Sequence, residues 1–306
     1  MPQRPRRAVL ACSIVAALLL TLVGALPAGA APPDRLIVFQ SDRGGHVDLW
    51  TMHSDGSGLA RLTDDKVEDV FPEWSPNGKQ IAWTRGGLGP EGEIWVMNAD
   101  GTGRRQVTSN SFSDADVAWS PDSTQLTYRS VRGGNRDVFV INTDGTNERR
   151  LTTDPADDIA PDWSPDGSRI VFTSRRSGVE AVYSMLATDG SDVRKLTSDS
   201  LFAGIARYSP DGSRLIFTDN FCSTCGESDV WVMNADGSGQ RQVTNSAANE
   251  ITAAWSRDGT RVVVDYARLT GTLSKSDVAV VAVATGATVN LTNTTSVDEA
   301  HPDWQP

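Results

Sequence analysis

The chain has 306 residues, with 39 acidic against 28 basic side chains and a formal net charge of −11 at pH 7. A protein this acidic has no electrostatic attraction to nucleic acid or to an anionic membrane surface. We therefore expect neither as a partner.

The first thirty residues have the features of a secretory signal peptide. A basic start, "MPQRPRR", precedes an almost wholly apolar run over residues 8–26, and Ala28-Gly29-Ala30 forms a small-residue cleavage site. Residues 1–30 are therefore predicted to be removed, leaving residues 31–306 with a net charge of −14. A second long apolar stretch is missing from the sequence. We thus expect an exported protein, periplasmic, secreted or at the cell surface, with no membrane anchor after cleavage.

The rest of the chain is a repeat. One aromatic residue, called here the motif aromatic, recurs every 44 to 49 residues: Trp74, Trp119, Trp163, Tyr208, Trp255 and Trp304. Four copies continue into Ser-Pro followed by Asn or Asp, as in "WSPDG". Pro at the second position and Gly at the last suit a type I turn, so each motif aromatic is predicted to end a strand.

Each repeat is predicted to hold four antiparallel strands. In chain order, a strand ending at the motif aromatic is followed by "QIAWT"-like, "EIWVMN"-like and "RRQVT"-like strands, with an Asp-Gly turn before the last. A period of about 45 residues with four strands is typical of a propeller blade. The predicted blades are residues 34–63 with 298–305, then 69–108, 114–152, 158–197, 203–244 and 250–292.

The two chain ends complete one blade between them. The sequence after residue 34 starts with "RLIVFQSDRGG", a second strand without its first, and ends with "HPDWQP", a first strand without its second. Joined, they close a ring of six blades and remove the free sheet edges. The fold class predicted is all-β, a single six-bladed propeller over residues 31–306.

The repeat resembles a known family. The pattern "PxWSPDG…IxFxSxRxG…DIxVMNxDG…RxLT" is similar to the TolB-type β-propeller repeat, also called PD40 or WD40-like, from about Arg35 to Trp304. This resemblance implies protein interaction at the cell envelope or surface. TolB itself carries an α/β domain before its propeller, and this sequence has no counterpart, so no particular partner is carried over.

Strand direction sorts the loops onto two faces. The turn face holds the Ser-Pro-Asp-Gly and Asp-Gly turns, which are nearly identical from blade to blade. The variable face holds the loops between second and third strands and between blades, such as "RGGLGPEG" and "NFCSTCGES". Variable loops on a rigid frame are the usual place for binding, so a site is predicted there.

Five of the six repeats carry a carboxylate five residues before the motif aromatic, where the innermost strand begins. These residues are Asp69, Asp114, Asp158, Glu250 and Glu299, with Ala203 at the sixth position. One hypothesis is a ring at the channel mouth for a cation, an amine or a basic segment of a partner; Ca²⁺ suits such oxygen ligands. No cofactor or metal is assigned.

The other hypothesis, which the sequence favours, is structural. An arginine follows the second strand of five blades, at Arg43, Arg85, Arg132, Arg175 and Arg268, and the blade with Ala203 lacks it. Shared presence and absence of the two charges indicates acid–arginine bridges that order the loops.

The fifth blade is the irregular one. Leu201 and Phe202 stand where other blades have polar residues, and Cys222 and Cys225 lie in its variable-face loop. A loop-tightening disulfide is the favoured interpretation of the cysteine pair in an exported protein. We predict that a partner docks on the surface formed by Leu201, Phe202 and the cysteine loop, called here the notch.

No catalytic residue is assigned. His301 and His46 belong to the composite blade, and His301 is predicted, with the five carboxylates, Leu201 and Phe202, to bind a ligand or partner at the channel mouth and variable face. A Gly-x-Ser-x-Gly nucleophile motif is missing from the sequence. The function predicted is a monomeric, non-enzymatic scaffold that recognises a protein or peptide at the variable face. The alternative is a channel-face enzyme, either a polysaccharide lyase or a metal-dependent hydrolase.

Overall fold

The computed structural model describes residues 35–221, 227–268 and 275–306 and shows six four-stranded antiparallel sheets. The first blade is β24 (Glu299–Trp304), β1 (Leu36–Ser41), β2 (Asp48–His53) and β3 (Ala60–Arg61). The second blade is β4 (Asp69–Trp74), β5 (Gln80–Arg85), β6 (Glu93–Asn98) and β7 (Arg105–Gln106). The third blade is β8 (Asp114–Trp119), β9 (Gln125–Arg132), β10 (Asn135–Asn142) and β11 (Arg149–Arg150).

The remaining three blades repeat this order. They are β12 (Asp158–Trp163), β13 (Arg169–Ser174), β14 (Ala181–Leu186) and β15 (Arg194–Lys195), then β16 (Gly204–Tyr208), β17 (Arg214–Thr218), β18 (Val230–Asn234) and β19 (Arg241–Gln242), then β20 (Ala248–Trp255), β21 (Arg261–Arg268), β22 (Ser276–Ala282) and β23 (Thr288–Asn290). A short 3₁₀ helix, Asp199–Leu201, precedes β16. Within the described ranges, no helix has the length and apolar character needed to span a membrane.

The C-terminal strand closes the ring, as predicted. β24 pairs antiparallel with β1, with Trp304 opposite Ile37 and Glu299 opposite Ser41. The Gln305 amide adds a 2.9 Å hydrogen bond to the Leu36 carbonyl. The six-bladed all-β fold with four strands per blade is confirmed.

The hydrophobic core lies between adjacent blades. One cluster joins Ile94 and Val96 of the second blade to Trp119, Leu126 and Tyr128 of the third, all buried. The motif aromatics are therefore packing residues, and each blade is stabilised by its neighbours.

The two-residue fourth strands are secured by a buried polar pair. In the first blade the Thr63 hydroxyl donates to the Asp48 carboxylate at 3.2 Å and accepts from the Leu49 amide at 2.9 Å. The third blade repeats this with Thr152 and Asp137. The threonine of the "RxLT" pattern thus holds a short outer strand against the third strand.

Candidate functional site

A bulge in each innermost strand directs side chains toward the propeller axis. In β4 the register with β5 shifts between Val70 and Glu73, and the same shift recurs in the other blades. The residue three positions before the motif aromatic has a positive φ at Phe71 (53°), Asp116 (55°), Ala160 (48°), Ile205 (51°) and His301 (52°). All five of these residues line the axial cavity on the variable face.

This cavity has a volume of about 460 Å³ and mostly apolar walls. Residues from every blade contribute to its wall, including Phe71, Pro161, Ile205, Phe221, Ile251 and Pro302. Phe221 comes from the irregular fifth blade, and its ring lies so close to Gly204 that a Cβ there would be 2.4 Å from the ring. An apolar pocket with a few polar groups is typical of a binding site.

A charged cluster forms the floor, at the position just before the motif aromatic. Arg207 reaches across the ring, and its Nη1 lies 2.5 Å from Glu73 Oε2 of the opposite blade and 3.5 Å from Asp162 Oδ1. Asp303 occupies the same position in the first blade, while Ala118 and Ala254 occupy it in the third and sixth. Below, the "Arg207 cluster" means Arg207, Glu73, Asp162 and Asp303.

The three carboxylates of the cluster also join neighbouring blades. Each accepts a hydrogen bond from the backbone amide of the next motif aromatic: Trp119 to Glu73 (3.1 Å), Tyr208 to Asp162 (2.8 Å) and Trp74 to Asp303 (2.6 Å). Their positions are therefore set by the sheet, and Arg207 is the one cation of the cluster that faces them.

Burial dominates the electrostatics of the cluster. It raises the pKa of Glu73 to about 8 and that of Asp303 to about 6, against the opposing effect of Arg207. Burial alone would lower the pKa of Arg207, but the nearby carboxylates reverse this and raise it. Arg207 is therefore a permanent cation facing carboxylates that burial makes costly to ionise.

A second axial cavity, of about 510 Å³, opens on the turn face. Its wall is built by the motif aromatics and by Pro76, Pro121, Pro165 and Pro210 of the turns. Both cavities share Arg207, Ala254 and Asp303. The Arg207 cluster therefore separates the axial channel into two cavities, one on each face.

His301 is the predicted site residue that does line the variable-face cavity. It packs edge-on against Phe71, with ring centroids 4.1 Å apart, and its backbone amide donates to Asp265 Oδ1 at 2.6 Å. Burial lowers its pKa to about 4, Asp116 works in the opposite direction, and Arg207 adds to the lowering. The His301 imidazole is therefore neutral at pH 7. His46 is exposed in a loop.

The five predicted ring carboxylates lie elsewhere. Asp69, Asp114, Asp158, Glu250 and Glu299 have no exposed surface and are outside the residues that line either cavity. Burial raises the pKa of Asp69, Asp114 and Asp158, and that of Glu250 to about 7. A ligand role for these residues remains a prediction.

Arginine bridges occur at three of these carboxylates, and one of the three is made by a different arginine from the one that the sequence predicted. Glu299 pairs with Arg43, and Asp69 pairs with Arg85 at 3.1 Å. Asp158 pairs with Arg176 at 2.9 Å, whereas Arg175 contacts Glu180.

At the other two carboxylates the partners are neutral side chains. The Asn110 amide donates to Asp114, while Arg132 pairs with Glu148 at 2.7 Å. Glu250 accepts from the Ser246 hydroxyl at 2.7 Å. The side chain of Arg268 is outside what the structure describes.

Leu201 and Phe202 are half-buried beside the variable-face cavity. Phe202 ends the 3₁₀ helix with a φ of 47°, and its carbonyl accepts from the Phe221 amide at 2.8 Å. The Leu201 carbonyl accepts from the Asn220 amide at 2.9 Å. The two residues therefore hold the start of the cysteine loop. Cys222 and Cys225, and with them the predicted disulfide, lie outside the described residues.

Sequence reasoning missed Phe71, Asp116, Arg129, Arg207 and Phe221. Arg129 pairs with Asp116 at 2.8 Å on the cavity wall. One signal was available in the repeat alignment, because Arg207 is a cation at a position where three other blades have carboxylates. The bulge gave no signal in the sequence, because it depends on a backbone conformation.

Across the described part of the chain, no group of three or more His, Cys, Asp or Glu residues is arranged to hold a metal ion.

Comparison with known proteins agrees with the geometry. The family model described as "TolB beta propeller domain" matches residues 68–220, which is half of the chain. The chain belongs to the TolB β-propeller family. Among solved structures, TolB from Acinetobacter baumannii superposes with a TM-score of 0.76 at 20% identity, over 89% of this chain and 67% of that one.

Two curated relatives match over short segments. The Tol-Pal system protein TolB of Anaeromyxobacter dehalogenans is 43% identical over 44 residues, which is 14% of this chain. An uncharacterized protein of Agrobacterium fabrum is 38% identical over 53 residues, which is 17% of this chain. The matches cover 10% and 18% of the lengths of these relatives, respectively.

Proposed function

We propose that this TolB-family propeller is an exported, non-enzymatic scaffold that recognises a protein or peptide through the cavity on its variable face. The observation that carries the proposal is a cavity of about 460 Å³ with apolar walls, contributed by all six blades and closed at its floor by the Arg207 cluster. Such a cavity accepts a side chain or short segment from one direction. The name of the matched relative, Tol-Pal system protein TolB, supports a place in the cell envelope.

Photo-crosslinking in the host cell tests this proposal. A benzoylphenylalanine at Phe71, in the cavity wall, should give a discrete crosslinked band with another protein. The matched control is the same residue at Leu59, which is 44% exposed on the turn face. A band that is absent at Phe71, or identical at Leu59, contradicts the proposal.

The fifth blade is the second contact that we propose. The Phe202 side chain is half-buried, and its backbone carbonyl bonds the amide of Phe221 in the cavity wall. Phe202→Ala keeps that carbonyl and removes only the apolar ring, so it should weaken the Phe71 crosslink while the protein stays folded. An unchanged crosslink would exclude the notch as part of the docking surface.

A cation at the acidic ring is tested separately. Because the ring carboxylates are buried and three of the five are bridged by arginine, we expect no Ca²⁺-dependent change in melting temperature. Metal analysis of the purified protein, with melting in Ca²⁺ and in a chelator, measures this. A stoichiometric metal and a lower melting temperature in the chelator would instead support the channel-face enzyme.

A further inference from the structure

Three of the six large apolar side chains that are most exposed in the described residues belong to one sector of the variable face. They are Val67 (40% exposed), Leu88 (56%) and Phe112 (39%), from three consecutive loops of this face around the second blade. The other three, Leu59, Val193 and Val289, lie in turn-face loops or an outer strand. We call the first group, with Glu68 and Glu91, the second-blade patch.

Hydrogen bonds join the three loops into one surface. The Gly86 amide donates to the Glu68 carbonyl at 2.8 Å, and the Ser113 hydroxyl donates to the Leu88 carbonyl at 3.3 Å. The Glu68 carboxylate lies against Gly87, where a Cβ would be 2.7 Å from Oε2. The patch is thus ordered, and Leu88 makes it continuous with the axial cavity.

The charge around the patch has one sign in excess. Asp64, Glu68 and Glu91 are exposed, and none of them has an ion pair with a described residue, while exposed Lys66 offsets one of the three charges. Arg132, which lies 5.4 Å from the Phe112 ring, is itself paired with Glu148. A partner that covers Leu88 and Phe112 therefore meets uncompensated carboxylates at the edge of the contact.

We infer that the second-blade patch binds a partner segment in which an apolar residue is flanked by lysine or arginine. The apolar residue would cover Leu88 and Phe112, and the basic residues would neutralise Glu68 and Glu91. This inference rests on the proposed function and specifies the chemistry of the partner.

Selection from a random twelve-residue peptide library tests the inference. Peptides that bind the wild-type protein should share an apolar residue between basic ones. The double change Leu88→Ser with Phe112→Ser should weaken their binding by roughly tenfold or more. The matched control, Leu59→Ser with Val193→Ser, removes equally exposed apolar side chains from the turn face and should leave the dissociation constant unchanged.

A second variant tests the charge contribution without altering packing. Glu68→Gln with Glu91→Gln should weaken binding several-fold at low salt, and the difference should shrink as salt screens the charges. A selection that enriches nothing, or enriches acidic peptides, overturns the inference. So does binding that survives the Leu88 and Phe112 changes.

Failure of the inference is distinguishable from failure of the proposed function. If peptide binding depends on Phe71 and not on Leu88 or Phe112, the patch is excluded and cavity recognition stands. If the Phe71 crosslink is absent in cells, the proposed function fails whatever the library yields.

Discussion

Ser123 occupies a left-handed backbone position that its counterparts fill with glycine. Its φ is 61°, and the equivalent Gly78, Gly167, Gly212 and Gly259 have φ between 64° and 73°. A side chain at such a position costs about 1 kcal/mol relative to glycine. The third blade therefore carries a local strain that the other complete Ser-Pro turns avoid.

Ser123→Gly should raise the free energy of unfolding by about 0.5 kcal/mol, because glycine adopts this φ without strain and the hydrogen bond that it removes, from the Asn77 amide to Ser123 Oγ at 3.3 Å, is long and exposed. Urea unfolding measures it. The reciprocal control is Gly167→Ser, where a Cβ would meet nothing closer than 3.9 Å, so any loss of stability there comes from the backbone. Equal stability of all three proteins would contradict the argument.

His301 should make stability depend on pH. Burial lowers the pKa of His301 in the folded state to about 4, so the folded state favours the neutral imidazole. The stability that His301 contributes is therefore fully present above the unfolded-state pKa of about 6.5. That contribution is lost as pH falls from 6.5 through 4, by about 1–3 kcal/mol. His301→Gln should therefore flatten this part of the stability curve relative to wild type. His46→Gln, at an exposed loop position, is the control for replacing a histidine by glutamine.

At the scale of elements, the pairing of β24 with β1 closes the ring. Trp304 is 5% exposed and packs with Ile37 and Phe39 of β1 and with Val263 of β21. Loss of β24 would open this cluster and leave β1 as an unpaired edge. Such an edge is prone to pair with another chain.

Deletion of residues 299–306 should therefore give a protein that self-associates and melts at a much lower temperature. Light scattering and thermal melting measure both effects. A synthetic peptide of residues 298–306, added in excess, should restore the association state of the full-length protein, since it supplies the missing strand. A truncated protein that remains a stable monomer would show that closure by β24 is dispensable.

At the scale of the whole molecule, the Arg207 cluster joins opposite blades across the axis. Removing the cation leaves buried carboxylates without an opposite charge, so Arg207→Met should destabilise the fold by about 3–5 kcal/mol. Glu73→Gln in the same protein should recover part of that loss, with a coupling energy of about 1–3 kcal/mol.

A double-mutant cycle in chemical denaturation measures this coupling. The control is the Arg136–Asp157 pair, at 3.0 Å, in which the arginine side chain is 47% exposed; its coupling should be below about 1 kcal/mol. Additive effects of Arg207→Met and Glu73→Gln would mean that the pair across the ring contributes nothing to stability.

Most of the architecture was predictable because the sequence repeats the same strand and turn pattern six times. The motif aromatic, the Asp-Gly turns and the "RxLT" threonine each recur at one spacing, and the incomplete ends of the sequence indicated the pairing of β24 with β1. Periodicity and turn chemistry are local properties, so they can be recognised in the sequence alone.

Tertiary structure alone decided which residues face the axis. The bulge in each innermost strand turns Phe71, Asp116 and His301 inward and leaves Asp69 and Glu299 buried behind them. It also decided that Arg207 meets Glu73, which lies 134 positions away along the chain. Repetition in the sequence specifies the blade, but contacts across the axis exist only after six blades close into a ring.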